Sequence, residues 1–374
     1  ERSRGREAAL EAVRRWFYQG PVAEAIESFS VNTAVTGVTG SHKGLLRAAD
    51  LAAYETRLEA PVSYHYRGVD VYKCGPWTQG PVFLQQLALL QRRNLAALGH
   101  NSADYIHTVV EATKLAFADR EAHYGDPMFS EVPLDHLLSD DYNARRVAQI
   151  TATASAEVRP GDLAGRLAVA GPATDPRVYR GDTTHVDAAD ETGLMISATP
   201  SGGWFPSSPV VPGLGFPLGT RGQMFVLEAG HPNALAPGKR PRATLTPSLA
   251  LRDGRPWLAF GTPGGDQQDQ WTLQFFLNVV DFGMDLQTAV EAPLFHTLHF
   301  RNSFYPRELT PRRVVVEGRL DDATVAELRR RGHDVQVSGP WAHGQVTAIS
   351  WDGDSGVLAG AASPRAQTAY VAGT

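Results

Sequence analysis

Gly181-Asp182-Thr183-Thr184-His185 stands where the chain changes character. Upstream, residues 154–180 are rich in Ala, Gly, Pro, Arg and Asp with little periodicity, and read as an exposed linker. Downstream, short apolar runs recur at 194–198, 224–227, 248–251 and 257–260, then at 314–316, 335–337, 346–349 and 357–361, and read as strands. Helical spacing returns only at 271–280 and 323–331. From its residues alone the quoted stretch is a polar turn opening a Thr-rich strand.

The first half is more helical. Residues 8–18 and 21–28 carry apolar side chains at helical spacing about Gly20, and a Gly/Thr/Ser-rich loop follows at 33–42. Residues 62–72 alternate like a hairpin turning at Arg67-Gly68, stopped by Gly75-Pro76. The strongest helices are expected at 81–98 and 102–122, the second capped by Ser102 with Ile106, Val110, Thr113 and Phe117 on one face. The fold class is α+β. Pattern alone leaves open whether helices enclose two stacked sheets or form a simpler arrangement.

Of the 374 residues 43% are hydrophobic and 20% charged, the balance of a globular protein, and the formal net charge is −5. No basic stripe or polybasic tract invites nucleic acid or an anionic membrane, and no apolar run of roughly 18 residues could span a bilayer. The expected partner is a small molecule or peptide. Cys74 is the only cysteine, so an internal disulfide and a multi-cysteine metal site are excluded. His296 and His299 are three apart but lack companion ligands at metal spacing, so no metal or other cofactor is expected.

Further segments share the order of the quoted one: Pro200-Ser201-Gly202-Gly203, the Gly-Lys-Arg-Pro core within 237–242, the run 244–248, and Thr262-Pro263-Gly264-Gly265-Asp266. Together with 44–54, 62–72 and 101–124, they make the chain resemble the gamma-glutamyltransferase family over essentially its whole length. The resemblance implies an αββα four-layer sandwich of the N-terminal-nucleophile hydrolase type and a precursor that cuts itself between Asp182 and Thr183. Residues 1–182 would be the C-terminal part of the large (alpha) subunit, the start of which the chain lacks. Residues 183–374 would be the small (beta) subunit, paired with the large one in one αββα domain. Thr183 would be the nucleophile, Gly264 and Gly265 the oxyanion donors, and Ser201 a catalytic polar neighbour. The implied substrate is a gamma-glutamyl or other amide, and the acceptor is water, an amino acid or a peptide.

Threonine needs a base close by, and an α-amino group, titrating near pH 8, supplies one on the same residue once the chain is cut. His185 is therefore read as structural. So is the Lys239, Arg240, Arg242 loop, and Trp204 is read as a core plug.

The chain departs from the family at the donor site. Where typical members carry a pair of aspartates before a phenylalanine, it reads Gly219-Thr220-Arg221-Gly222-Gln223-Met224-Phe225, without an acid. The family's paired serines fall at Ala243 and Thr244. Arg221, Gln223 and Thr244 are the candidate substrate-binding residues, Arg221 offering a planar fork to a carboxylate or carbonyl. Two alternatives stand beside glutamyl transfer: an acylase of the same mechanism on a non-glutamyl amide such as a beta-lactam side chain, and an inactive, unprocessed relative.

Overall fold

The computed structural model describes residues 5–37, 40–161, 183–202 and 208–373. Gly181, Asp182, Gly203, Trp204 and most of the expected linker lie outside them. Contacts divide the chain into two compact units, Glu1–Glu59 with Gly202–Thr220, and Ala60–Ser201 with Arg221–Thr374.

The smaller unit holds helices α1 (Arg6–Tyr18) and α2 (Pro21–Asn32), a hairpin of β1 (Val35–Gly37) and β2 (Gly40–His42), and the short α3 (Ala48–Ala52). The hairpin replaces part of the loop expected at 33–42. In the unit's second segment, Gly202–Thr220, the two ends meet: the carbonyl of Gly202 accepts both the N–H of Thr220, at 2.7 Å, and its hydroxyl, at 3.0 Å.

In the larger unit the elements run β3 (Val62–Tyr66), β4 (Val69–Lys73), α4 (Gly80–Leu90), α5 (Leu95–Leu98), α6 (Ala103–His123), α7 (Leu134–Leu137), α8 (Asp140–Val147), β5 (Val186–Ala189) and β6 (Met195–Ala198). There follow β7 (Ser248–Arg252), β8 (Arg255–Gly261), α9 (Gln268–Val280), α10 (Leu286–Glu291), β9 (Phe295–Thr297), β10 (Arg313–Glu317), α11 (Asp322–Arg330), β11 (Asp334–Ser338), β12 (Thr347–Trp351) and β13 (Leu358–Ala362). Six strands form one antiparallel sheet in the order β13-β12-β8-β7-β4-β3, and β11-β10-β9 form a smaller mixed one.

Strand β8 explains the layering. Alternate residues of a strand face opposite sides. Leu258 and Phe260 are fully buried, and the Phe260 ring lies 5.9 Å from Phe83 of α4 and 5.5 Å from Phe275 of α9. Gly261 faces the other way, onto the segment leading into the β5–β6 hairpin, which packs across β7, β8 and β12. Helix, sheet and second sheet thus follow in order, the first three layers of an αββα sandwich. Helix α6 packs behind α4 and is buried nearly all round rather than on one face, with Ser102 capping it as expected. None of the described helices is long and apolar enough to cross a membrane.

Two further sequence expectations change. The helix expected at 81–98 breaks after Leu90 and restarts at Leu95, because the Asn94 side chain caps the N–H of Ala97 at 3.1 Å. The strand expected at 224–227 is instead a 3-10 turn, Arg221–Met224, with a single bridge from Val226 to Ala234. Buried Arg307 takes the carbonyls of Gln223 and Phe225, which a neighbouring strand would otherwise have used.

Candidate active site

Thr183 enters strand β5 along an edge already paired to the segment after β6: the N–H of Thr184 donates to Pro200 O at 3.1 Å. That pairing sets the Thr183 side chain beside Ser201, and the threonine hydroxyl donates to Ser201 Oγ at 2.9 Å. Two residues on, the His185 ring is buried and held at both nitrogens, Nδ1 at 2.7 Å from Thr199 Oγ1 and Nε2 at 2.9 Å from Asp187 Oδ1. Asp187 and Thr199 thus hold the ring from its two nitrogens. The other oxygen of Asp187 accepts from Thr347 at 3.1 Å, which ties the hairpin to β12. His185 is a fastener, as expected. A Cβ at Gly261 would lie 2.2 Å from its Cε1, so the ring can rest on β8 only because that residue is glycine.

Beyond Gly261 the chain turns through Thr262-Pro263-Gly264-Gly265. Gly264 has φ +140° and Gly265 φ +60°, and a Cβ on Gly264 would meet the Trp271 ring at 2.3 Å. Both positions require glycine. The turn's carbonyls are occupied, Gly264 O by the Gln267 N–H at 3.2 Å and Gly265 O by the Gln79 amide at 3.4 Å. Neither bond uses the N–H of Gly264 or Gly265. These lie just before the start of α9, where backbone donors have no partner within the helix. Asp266 anchors the turn from below through a buried ion pair with Arg120 and hydrogen bonds from Ser303 N (2.8 Å) and Oγ (2.6 Å).

The third group is the acid-free stretch. Arg221 Nη1 lies 3.5 Å from Thr244 Oγ1 and 3.4 Å from Met224 Sδ, and the guanidinium carbon is 5.9 Å from the centre of the Phe304 ring. The same ring comes within 3.1 Å of where a Gly265 Cβ would be. Arg221 and Gly265 therefore flank one aromatic side chain. Gln223 is fixed through its backbone carbonyl, to which Arg307 Nη2 donates at 3.0 Å. Burial brings the Arg307 guanidinium down to about 10, with the negative charge of Glu121 opposing the shift.

The candidates thus fall into two sets, Thr183 with Ser201, and Gly265, Phe304, Arg221 and Thr244. Two connections link them. Gly261, against His185, is three residues from Gly264. Ser201 and Arg221 adjoin Gly202 and Thr220, which bond to each other. Sequence reasoning missed Phe304, Arg307, Asp187 and Gln79; only Asp187 carried a signal, the His-x-Asp spacing that puts both on one face of a strand.

The remaining polar clusters are structural or charge-saturated. His296 stacks edge-on against Trp271 and His343, whereas His299 accepts the Arg312 N–H, so the pair does not converge. Arg240 pairs with Asp126, and buried Arg242 with Glu121 at 2.6 Å, as a structural loop should. His107, Glu111 and His333 hold ligand atoms within 4.8 Å of one another. Both oxygens of Glu111 already serve cations, Lys114 at 2.5 Å and Arg159 at 3.2 Å, which opposes a metal ion there.

The family model of gamma-glutamyltranspeptidase matches residues 7–373. The glutathione hydrolase-like YwrD proenzyme of Bacillus subtilis (strain 168) is 33% identical over 96% of the chain and 63% of its own length. The solved structure of LmbA2991HD superposes with a TM-score of 0.93 at 51% identity, covering 99% of this chain and 65% of that one. Cephalosporin acylase from Bacillus halodurans superposes at 0.78 with 30% identity, over 96% and 60%. The chain spans about half to just under two thirds of the length of the curated relatives it matches.

Proposed function

The chain belongs to the gamma-glutamyltranspeptidase family, and from that premise we propose a self-processing amidohydrolase that forms an acyl-enzyme on Thr183. The observation that carries the reading is the 2.9 Å hydrogen bond from the Thr183 hydroxyl to Ser201. It holds the nucleophile's oxygen at a defined place while the Thr183 nitrogen is still part of a peptide.

In the first step the Thr183 oxygen attacks the carbonyl of Asp182. The peptide C–N bond breaks, which frees the α-amino group of Thr183 and leaves Asp182 as an ester on its oxygen; water then hydrolyses that ester, releasing the Asp182 carboxyl group and restoring the Thr183 hydroxyl. Residues up to 182 then belong to the large subunit and 183–374 form the small one, the two remaining one folded unit. In the second step the same oxygen attacks the amide carbonyl of the donor. The new amine accepts the hydroxyl proton and passes it to the departing nitrogen. Water or an amine then takes the acyl group from Thr183. Both steps place negative charge on a carbonyl oxygen, and the N–H groups of Gly264 and Gly265 are suited to receive it because their turn is fixed by Asp266 and Trp271.

Gamma-glutamyl compounds are the donor class that the family supports. A second reading, an acylase acting on another amide, is favoured by one observation: Arg221 and no acid lies in the stretch 219–225.

The test is the intact mass of the full-length protein beside its Thr183→Ala variant. Wild type should yield a fragment beginning at Thr183 and the variant should stay whole. Two uncut proteins would defeat the reading in favour of an inactive relative.

A further inference from the structure

We propose that Arg221 determines specificity by receiving a carboxylate carried on the acyl part of the donor, and that the donor needs no ammonium group. The inference rests on the reading of Thr183 as nucleophile and names the substrate class of that site.

Location comes first. Arg221 borders the same phenylalanine ring as Gly265 and reaches Thr244, and it follows Thr220, whose partner Gly202 follows Ser201. On this proposal an acyl chain bonded to Thr183, with its carbonyl oxygen toward the glycine turn, would extend past Phe304 toward the guanidinium. The half-buried ring supplies an apolar wall for methylenes, and Thr244 Oγ1 is a second polar group beside the guanidinium.

Charge comes second. The stretch 219–225 contains a guanidinium and no acid. Beneath it, Arg307 donates to three backbone carbonyls, those of Ser303, Gln223 and Phe225. Two neighbouring acids are committed elsewhere, Asp266 to Arg120 and Glu121 to Arg242, and the exposed side of Glu228 faces Arg301 at 3.3 Å. A donor ammonium brought to this loop would meet two fixed cations. A carboxylate would meet a planar fork that can bind both its oxygens.

The experiment compares three p-nitroanilides on the full-length protein: glutaryl, which ends in a carboxylate; gamma-glutamyl, which adds an ammonium to it; and butyryl, which has neither. The expected kcat/KM for glutaryl exceeds that for butyryl at least tenfold, mainly through KM, and gamma-glutamyl is no better than glutaryl. In Arg221→Gln the glutaryl-to-butyryl ratio should fall 10- to 100-fold, with partial recovery in Arg221→Lys. An unchanged ratio in Arg221→Gln, or a tenfold preference for gamma-glutamyl over glutaryl, overturns the proposal. If no donor is cleaved and no fragment begins at Thr183, the nucleophile reading has failed instead. Calorimetry with glutarate and butyrate then still decides on Arg221: glutarate bound more weakly by Arg221→Gln supports its role, and equal binding ends it.

Discussion

The hairpin that follows Thr183 and the loop that follows Thr220 each present candidate groups, yet they are built on different principles. Strands β5 and β6 pair residue by residue from Val186↔Ala198 to Ala189↔Met195, and the buried His185, Asp187 and Thr347 contacts bind the hairpin to the main sheet. The loop has one isolated bridge and is held by side chains: Asn233 Nδ2 donates to Met224 O at 2.7 Å, and Arg307 spans the carbonyls of Gln223 and Phe225. A backbone ladder fixes position whatever the side chains are, so it suits a nucleophile. A loop held by side chains can be re-lined without moving the ladder, so it suits the choice of donor.

That division is broken most severely at Thr183 itself. Thr183→Ala removes the attacking oxygen, and processing and amide hydrolysis should both fall by roughly three orders of magnitude or more. The hairpin has no reason to unfold, so the variant's thermal midpoint should stay near wild type. A variant that unfolds would show that Thr183 belongs to the ladder's stability as well as to chemistry.

Next in size is the support under the glycine turn. Asp266→Asn leaves the fully buried Arg120 without its carboxylate and weakens the Ser303 bonds, a loss of about 3–5 kcal/mol by the usual cost of breaking a buried pair. Urea denaturation would measure it. A change below about 1 kcal/mol would mean that Gln79 and Arg301 O, the other partners of Arg120, suffice.

Much of this was legible beforehand because it depends on local chemistry. Thr183 and Ser201 lie together as expected, the glycines of 264–265 occupy conformations that exclude other residues, and strands form at the short apolar runs 248–251, 257–260 and 346–349. The loop was read wrongly as a strand because Met224 to Leu227 is apolar, and nothing local reveals that Arg307, over eighty residues away, occupies its carbonyls. Phe304 was missed for the same reason: its role comes from a contact with Gly265 across the fold.

Gly261→Ala probes the join between hairpin and sheet. Its Cβ would sit 2.2 Å from a ring bonded at both nitrogens, so His185 cannot swing aside without losing Thr199 or Asp187. The expected cost is roughly 1–3 kcal/mol, seen as a lower thermal midpoint, with slower processing because Thr183 is two residues away. Unchanged stability and processing would mean that the hairpin is not seated by this ring.

The smallest effect separates both regions from a third, the helical layer, through pH. Burial, reinforced by Lys114, pushes His299 and His333 down to about 3, and burial lowers the adjacent His107 as well. Around them stand the cations Lys114, Arg159, Arg312 and Arg331 and the acid Glu111, with Asp104 and Glu327 paired to Arg331. A histidine that stays neutral when folded but titrates near 6.5 when unfolded leaves the unfolded chain holding more protons at acid pH. The stability it contributes is complete above about pH 6.5 and drains away as pH falls toward 3, by at most about 1.4 kcal/mol per unit for each histidine. Carboxylates held low by ion pairs drain stability in the same direction but only below their unfolded range near 4, so the interval from pH 7 to 5.5 isolates the histidines. His333→Gln should therefore lose about 1 kcal/mol less than wild type across that interval in urea midpoints. Equal losses would place the acid sensitivity elsewhere, and a concurrent change in the glutaryl-to-butyryl ratio would mean that the helical layer and the Arg221 loop are coupled.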